Sequence, residues 1–312
     1  MGALCRTTDR VPVTPGRRTV RLRQCHRSEP GERTVLGGRG SQGYCHGRYA
    51  PRVIETLGIC VDDELVDLWR AWFAPAEQLF YVRELPEEMR SHFVEIDHTS
   101  LPLEIRDTFM AYSPGWALLS ESQFSQLPAA VRRALATPRQ RGYRSVWWPN
   151  RFAAAGDRPL LRYIEDGVRP SQHALVEDPI WERALALLPE AQSLAGTFAR
   201  RSGPNCFGTV MAAAGVDGAA DEWMTQEPFE SWLAANATAV ATTRHDVDPG
   251  VVYVWRQHDG LAVHACVTIG GGWVLNKPSQ AWCSPRFIWP TRTAIHHARQ
   301  PGARLHRYAL QA

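Results

Sequence analysis

The stretch from Asp248 to Asn276 constrains the fold of this chain more tightly than any other. Asp248-Pro249-Gly250 is a turn, and Val251-Val252-Tyr253-Val254-Trp255 after it is a β-branched and aromatic run, the composition of a strand. Asp259-Gly260 is a hairpin turn signal, so Leu261 to Ile269 makes the returning strand. Gly270-Gly271-Gly272 turns the chain again, and Trp273 to Leu275 forms a third strand. Consecutive strands joined by turns this short pair antiparallel, because a parallel pair needs a long crossover. Phe287-Ile288-Trp289 and Leu305 to Leu310 are candidate closing strands of the same sheet.

Such a sheet needs something to cover its apolar side, and a helix precedes it. Gly203-Pro204-Asn205 are helix-start residues, Cys206 stands on the first turn, and Gly215 is a stop. An acidic connecting stretch, about Asp217 to Glu230 with Trp223 inside it and Trp232 just beyond, joins helix to sheet. The expected class is therefore α+β, with a helix carrying Cys206 packed on an antiparallel sheet over residues 196–312.

Residues 49–195 read as a mixed, mainly helical region. Asp62 or Asp63 caps a helix through Leu65, Val66, Leu68 and Trp69. Leu127 to Ala136 is a second helix, with Pro128 in its first turn, and a third starts at Asp178 and runs towards Phe198 with a break at Pro189. The aromatic segment Gly142 to Pro149 reads as half-buried core. Residues 1–48 interleave ten arginines with Gly, Ser and Thr, and lack apolar periodicity, the composition of a solvated arm. A nucleic-acid-binding role would rest on that arm alone. Its Cys25-His26 and Cys45-His46 dipeptides lack the close ligand pairs of a zinc site.

The net charge of +3 over 312 residues does not by itself point to nucleic acid, and no apolar stretch approaches the roughly twenty residues that cross a bilayer. No apolar core follows the early arginines, so no signal peptide is expected and the cytoplasm is the default compartment. Seven cysteines, an odd number at low density, read as free thiols, most of them inert. Lys277 is the only lysine in the chain.

Cysteine chemistry needs a thiolate, a base to take its proton, and a third group to orient the base. Cys206 at a helix N-terminus is placed where unpaired N–H groups and the helix dipole favour a thiolate of lowered pKa. His264 lies on the second strand, on one face with Cys266 and Thr268 by the two-residue period. The hairpin at Gly270 to Gly272 folds Asn276 back towards His264, where an amide oxygen can accept the imidazole N–H and fix its tautomer. Asn205, Lys277 and Trp273 are the expected substrate contacts, with Lys277 available to an anionic group. A zinc site from His264, Cys266 and Cys283 is the metal alternative, and it lacks a fourth ligand; neither a metal nor a cofactor is expected.

Cys206, then Pro249-Gly250-Val251-Val252-Tyr253-Val254, then His264 followed twelve residues later by Asn276, resembles the NlpC-type cysteine peptidases of the papain-like superfamily. The resemblance covers residues 196 to 310 and implies Cys206 as nucleophile, His264 as base and acid, and Asn276 as orienting residue. Asn205 stands where that family has Asp, and Val251 where it has Asp after Pro-Gly. Phe198 corresponds to its oxyanion tyrosine and has no hydroxyl to donate. The implied activity is hydrolysis of an amide bond in a peptide-like or small amide substrate. The same thiol passing its acyl group to an amine, or an inactive scaffold acting as a protein-binding module, are the alternatives.

Overall fold

The structure, a computed structural model, describes residues 54–136, 144–241 and 243–311. The arginine-rich arm and its two Cys-His dipeptides lie outside the described residues, as does part of the aromatic segment near 142.

The first described element is a hairpin of β1 (Ile54–Thr56) and β2 (Ile59–Val61), turning at Leu57 and Gly58, both at positive φ. The helix Asp63–Phe73 follows, and Asp62 is its cap, accepting the Leu65 N–H at 2.8 Å. A second two-stranded antiparallel sheet pairs β3 (Glu77–Tyr81) with β4 (Trp116–Ser120), and the helix Leu103–Phe109 lies in the long connection between them. The helix Ala129–Leu135 forms with Pro128 at its cap. Trp148 is buried core, packed on Phe80 and Phe124. These two small sheets are not legible in a region that reads as mainly helical, because each strand is only three to five residues long.

The larger sheet has six antiparallel strands in the order β5-β10-β6-β7-β8-β9. They are β5 (Ala237–Ala239), β6 (Pro249–Arg256), β7 (Ala262–Gly270), β8 (Trp273–Asn276), β9 (Phe287–Pro290) and β10 (Arg304–Leu310). The expected β6-β7-β8 meander and both closing strands are present. Its two faces bury different partners. Val252, Val254, Ala265, Val267, Ile269 and Leu275 pack with Phe207, Val210 and Met211 of the helix Cys206–Ala213. Val251, Tyr253, Trp255, Cys266 and Val274 pack with Ala294 of the helix Thr291–His297.

Packing runs across residue 195. Trp181, Ala184, Leu188 and Ala191 share the core of the Cys206 helix, while Trp69, Phe152 and Leu160 share a core with Phe198, Trp282 and Trp289. The expected helix from Asp178 towards Phe198 is two short ones, Asp178–Ala184 and Ala191–Leu194. Thr197 is extended because it bridges Arg286. The acidic connecting stretch contains a helix, Gln226–Asn236, whose Phe229 stacks on Phe207 at 4.4 Å. No described helix is long and apolar enough to cross a membrane.

Candidate active site

The Cys206 helix begins where the sequence places it. Asn205 is its cap: Oδ1 accepts the Gly208 N–H at 3.0 Å while Nδ2 donates to the Met224 carbonyl at 2.7 Å. Both ends of the amide are thus occupied, and Asn205 anchors the helix start to the following loop. The role these bonds show is structural, that of a helix cap. Gly208 is required by a close approach rather than by backbone conformation, since a Cβ there would lie 2.3 Å from the Ala219 carbonyl oxygen.

His264 and Asn276 meet as expected, at 2.9 Å between Nε2 and Oδ1, in a buried hydrogen bond. The register explains the contact. Val267 faces Leu275 and Thr268 faces Val274, so one further step sets Cys266 opposite Asn276 and makes His264 its diagonal neighbour on the same face. With the amide oxygen towards the ring, Nε2 carries the proton and Nδ1 is the nitrogen left to accept one. The imidazole also lies against Trp255, ring centroids 5.3 Å apart. Burial lowers its pKa to about 4 against the support of Asn276, and the charge of His297 pushes the same way.

Cys206 is half-buried as a residue, and its thiol is desolvated and surrounded by the backbone N–H groups of Ala265, Phe207 and Cys206 itself. Ala265 is the residue after His264 and lies just beyond the last residue that β8 can pair with. The thiol therefore lies at the open end of the meander, on the face covered by its own helix. His264, one residue before Ala265 and packed on Trp255, points to the opposite face with Cys266, so the structure does not bring thiol and imidazole into contact. Among the described residues no hydrogen bond joins Sγ to the imidazole. The thiol pKa is not lowered, as the helix start alone suggests: burial raises it to about 11, against the opposing pull of the N–H groups and the Lys277 charge. Desolvation outweighs the dipole of an eight-residue helix here.

Lys277 is fully buried, and its Nζ donates to the Ser284 carbonyl at 2.5 Å. It is therefore not an exposed contact for an anionic substrate. Trp273 sits at the far end of β8, three residues or roughly 10 Å from Asn276, paired with Pro290 and packed on the core that holds Ile180. It stands away from Cys206 and His264. Phe198 is also core, edge-on to Trp69 at 4.7 Å, and contributes no oxyanion donor. Among the described residues no group of three or more His, Cys, Asp or Glu is arranged to hold a metal, so His264, Cys266 and Cys283 are not gathered into one. Cys206, Cys266 and Cys283 are free, whereas Cys60, expected to be a free thiol, is disulfide-bonded.

Residues from the upstream region complete the surroundings. Glu104 accepts the Ser202 N–H at 3.1 Å, the Ser202 hydroxyl accepts the Trp282 N–H at 3.2 Å, and Gly203 N–H bonds the Gln280 carbonyl at 3.0 Å. Asp107 is buried and takes a hydrogen bond from the Tyr112 hydroxyl, which in turn accepts from Gln280 at 3.3 Å. Burial lifts the Asp107 pKa to about 6. Nothing in the sequence marks Glu104 or Asp107, since each acts across about 100 residues or more of chain.

Comparison of the chain with family models, with curated proteins and with solved structures returned no match.

Proposed function

We propose that this chain is a cysteine-nucleophile hydrolase, a peptidase or amidase, that opens an amide bond of a peptide-like substrate through an acyl-enzyme. The observation that carries the reading is the buried His264–Asn276 hydrogen bond, which leaves Nδ1 as the acceptor, with Cys206 held at a helix start beside the next residue of the same strand. A helix-borne cysteine, an antiparallel meander and this His-to-Asn spacing support the reading through their resemblance to a papain-like, NlpC-type domain.

Burial favours the neutral form of both groups at rest, so the proton leaves Sγ for Nδ1 as the sulfur attacks. The S–C bond forms, the carbonyl oxygen takes the negative charge, and the backbone N–H of Cys206 is the donor nearest to hand. The imidazolium then protonates the leaving nitrogen as the C–N bond breaks, giving a thioester. Water attacks the thioester, its proton passes to Nδ1 and on to the departing sulfur, and the acid is released. An amine in place of water makes the same sequence an acyl transfer.

The absence of a thiol–imidazole hydrogen bond among the described residues is the observation that favours the second reading, an inactive scaffold that binds a protein partner. Alkylation separates the two. Iodoacetamide at pH 7, with modified peptides quantified by mass spectrometry, is expected to label Cys206 at least tenfold faster than Cys266 or Cys283, and His264→Ala to remove most of that advantage. Labelling of Cys206 no faster than Cys283 would sink the catalytic reading.

A further inference from the structure

Of the twelve tryptophans in the chain, Trp223 alone is exposed, with 51% of its surface in solvent. It stands on a loop whose backbone is tied down. The Ala219 carbonyl abuts Gly208 in the first turn of the Cys206 helix. The next carbonyls along are also taken: Ala220 accepts Arg286 Nη2 at 2.5 Å, and Asp221 accepts Arg201 Nη2 at 2.8 Å. Met224 accepts Asn205 Nδ2 at 2.7 Å, so the residue after the indole is bonded to the residue before the thiol. A Cβ built on Gly203, three residues before Cys206, would lie 4.0 Å from Trp223 Cβ. The fold thus holds a large, half-exposed ring on a fixed support beside the approach to Cys206, the pattern of a contact residue rather than of core.

Charge decides what such a ring would take. From Asp217 to Glu230 the chain carries Asp217, Asp221, Glu222, Glu227 and Glu230, and no lysine or arginine. Glu230 is matched by Arg256 at 2.5 and 2.8 Å, whereas among the described residues Glu222 and Glu227 make no ion pair. Gln226, whose Nε2 donates to the Ala262 carbonyl at 2.6 Å, opens a hollow of about 430 Å³ that Glu227 and the half-exposed Leu261 also line. Elsewhere the chain covers ring faces with its own cations, Arg151 over Trp147 and Arg256 over Tyr308, each at 5.5 Å. Among the described residues no cation lies over Trp223. We propose that Trp223 is the platform for a cationic side chain, lysine or arginine, of the peptide-like substrate. The cation rests on the indole face, the Glu222 and Glu227 carboxylates supply the opposite charge, and the substrate backbone passes Asn205 to reach Cys206. The proposal rests on Cys206 as nucleophile and names the substrate class that this reading leaves open.

Two measurements on the full chain test this, and they fail separately. The first compares the rates at which iodoacetyl-lysine amide and its uncharged counterpart, iodoacetyl-norleucine amide, alkylate Cys206. The lysine reagent is expected to react at least about threefold faster in the wild type. Trp223→Leu keeps an apolar side chain and removes the π face, so the ratio is expected to fall towards one, while plain iodoacetamide labels both proteins at the same rate. Glu227→Gln is expected to lower the ratio part of the way. The second measurement follows the indole N–H signals of 15N-tryptophan protein, in which the signal missing from Trp223→Leu identifies Trp223. Acetyl-lysine amide is expected to shift that signal, and acetyl-norleucine amide to leave it in place, in the wild type and in Cys206→Ala alike. A lysine preference that survives Trp223→Leu, a faster norleucine reagent, or an indole signal indifferent to acetyl-lysine amide overturns the proposal. Should Cys206 label no faster than Cys283 with any of the reagents, the catalytic reading falls, and the indole signal in Cys206→Ala decides the platform by itself.

Discussion

Replacing Lys277 by methionine is expected to make the protein more stable at neutral pH, and the size of the gain follows from burial. The lysine pKa falls from its ordinary 10.5 to about 7 in the fold. At about 1.4 kcal/mol for each tenfold change in proton affinity, the folded state carries a cost of about 4 kcal/mol at pH 7. Methionine has a similar length and no charge, and it forfeits the bond to Ser284, worth about 1 kcal/mol. The net gain is about 3 kcal/mol. The sign depends on pH in a defined way. Between 7 and 10.5 the unfolded chain binds the lysine proton and the folded chain releases it, so wild-type stability rises with pH across that window. The variant has no such rise, and its advantage fades towards pH 10.5. Urea unfolding followed by tryptophan fluorescence at pH 7 and 10.5 measures both ends, and the thiols that titrate in the same range are common to the two proteins. A Lys277→Met variant that is less stable at pH 7, or whose advantage is the same at both pH values, refutes the reasoning.

Gly208→Ala places a Cβ 2.3 Å from the Ala219 carbonyl oxygen, so the helix or the following loop must shift, and a loss of about 1–3 kcal/mol is expected by chemical denaturation. His264, with its pKa drawn from 6.5 to about 4 by burial, contributes stability that is complete above pH 6.5 and is lost as the pH falls towards 4. The loss amounts to about 3 kcal/mol, and it is expected to be absent in His264→Gln when urea midpoints of the two proteins are compared at pH 7 and pH 4.

The sheet was legible because its signals are local. Val251 to Trp255, Asp259-Gly260 and the triple glycine each act within a few residues, and all the strands they predict are present. The twelve-residue spacing of His264 and Asn276 was readable for the same reason, since a hairpin of known turn fixes which residues oppose each other. The helix Gln226–Asn236 was not. Its buried residues are only Phe229 and Leu233, too sparse a stripe to stand out from an acidic stretch until Phe207 is there to receive it. Trp273 and Asn205 were named for their neighbours in sequence. Trp273 stands three residues from Asn276 at the far end of β8, away from the site, and the cap hydrogen bonds engage the Asn205 amide.

By itself, then, the chain determines the meander, the helix that starts at Cys206 and the pairing of His264 with Asn276, because turns and capping are decided by near neighbours. Tertiary structure decides the electrostatics. A thiol at a helix start has a depressed pKa on paper, and here burial outweighs the helix end and raises it. A lysine beside Asn276 reads as available to an anionic group, and here it is fully buried with its ammonium on the Ser284 carbonyl. Desolvation depends on every atom packed around a group. It is settled only when segments distant in the chain close on Lys277 and Cys206.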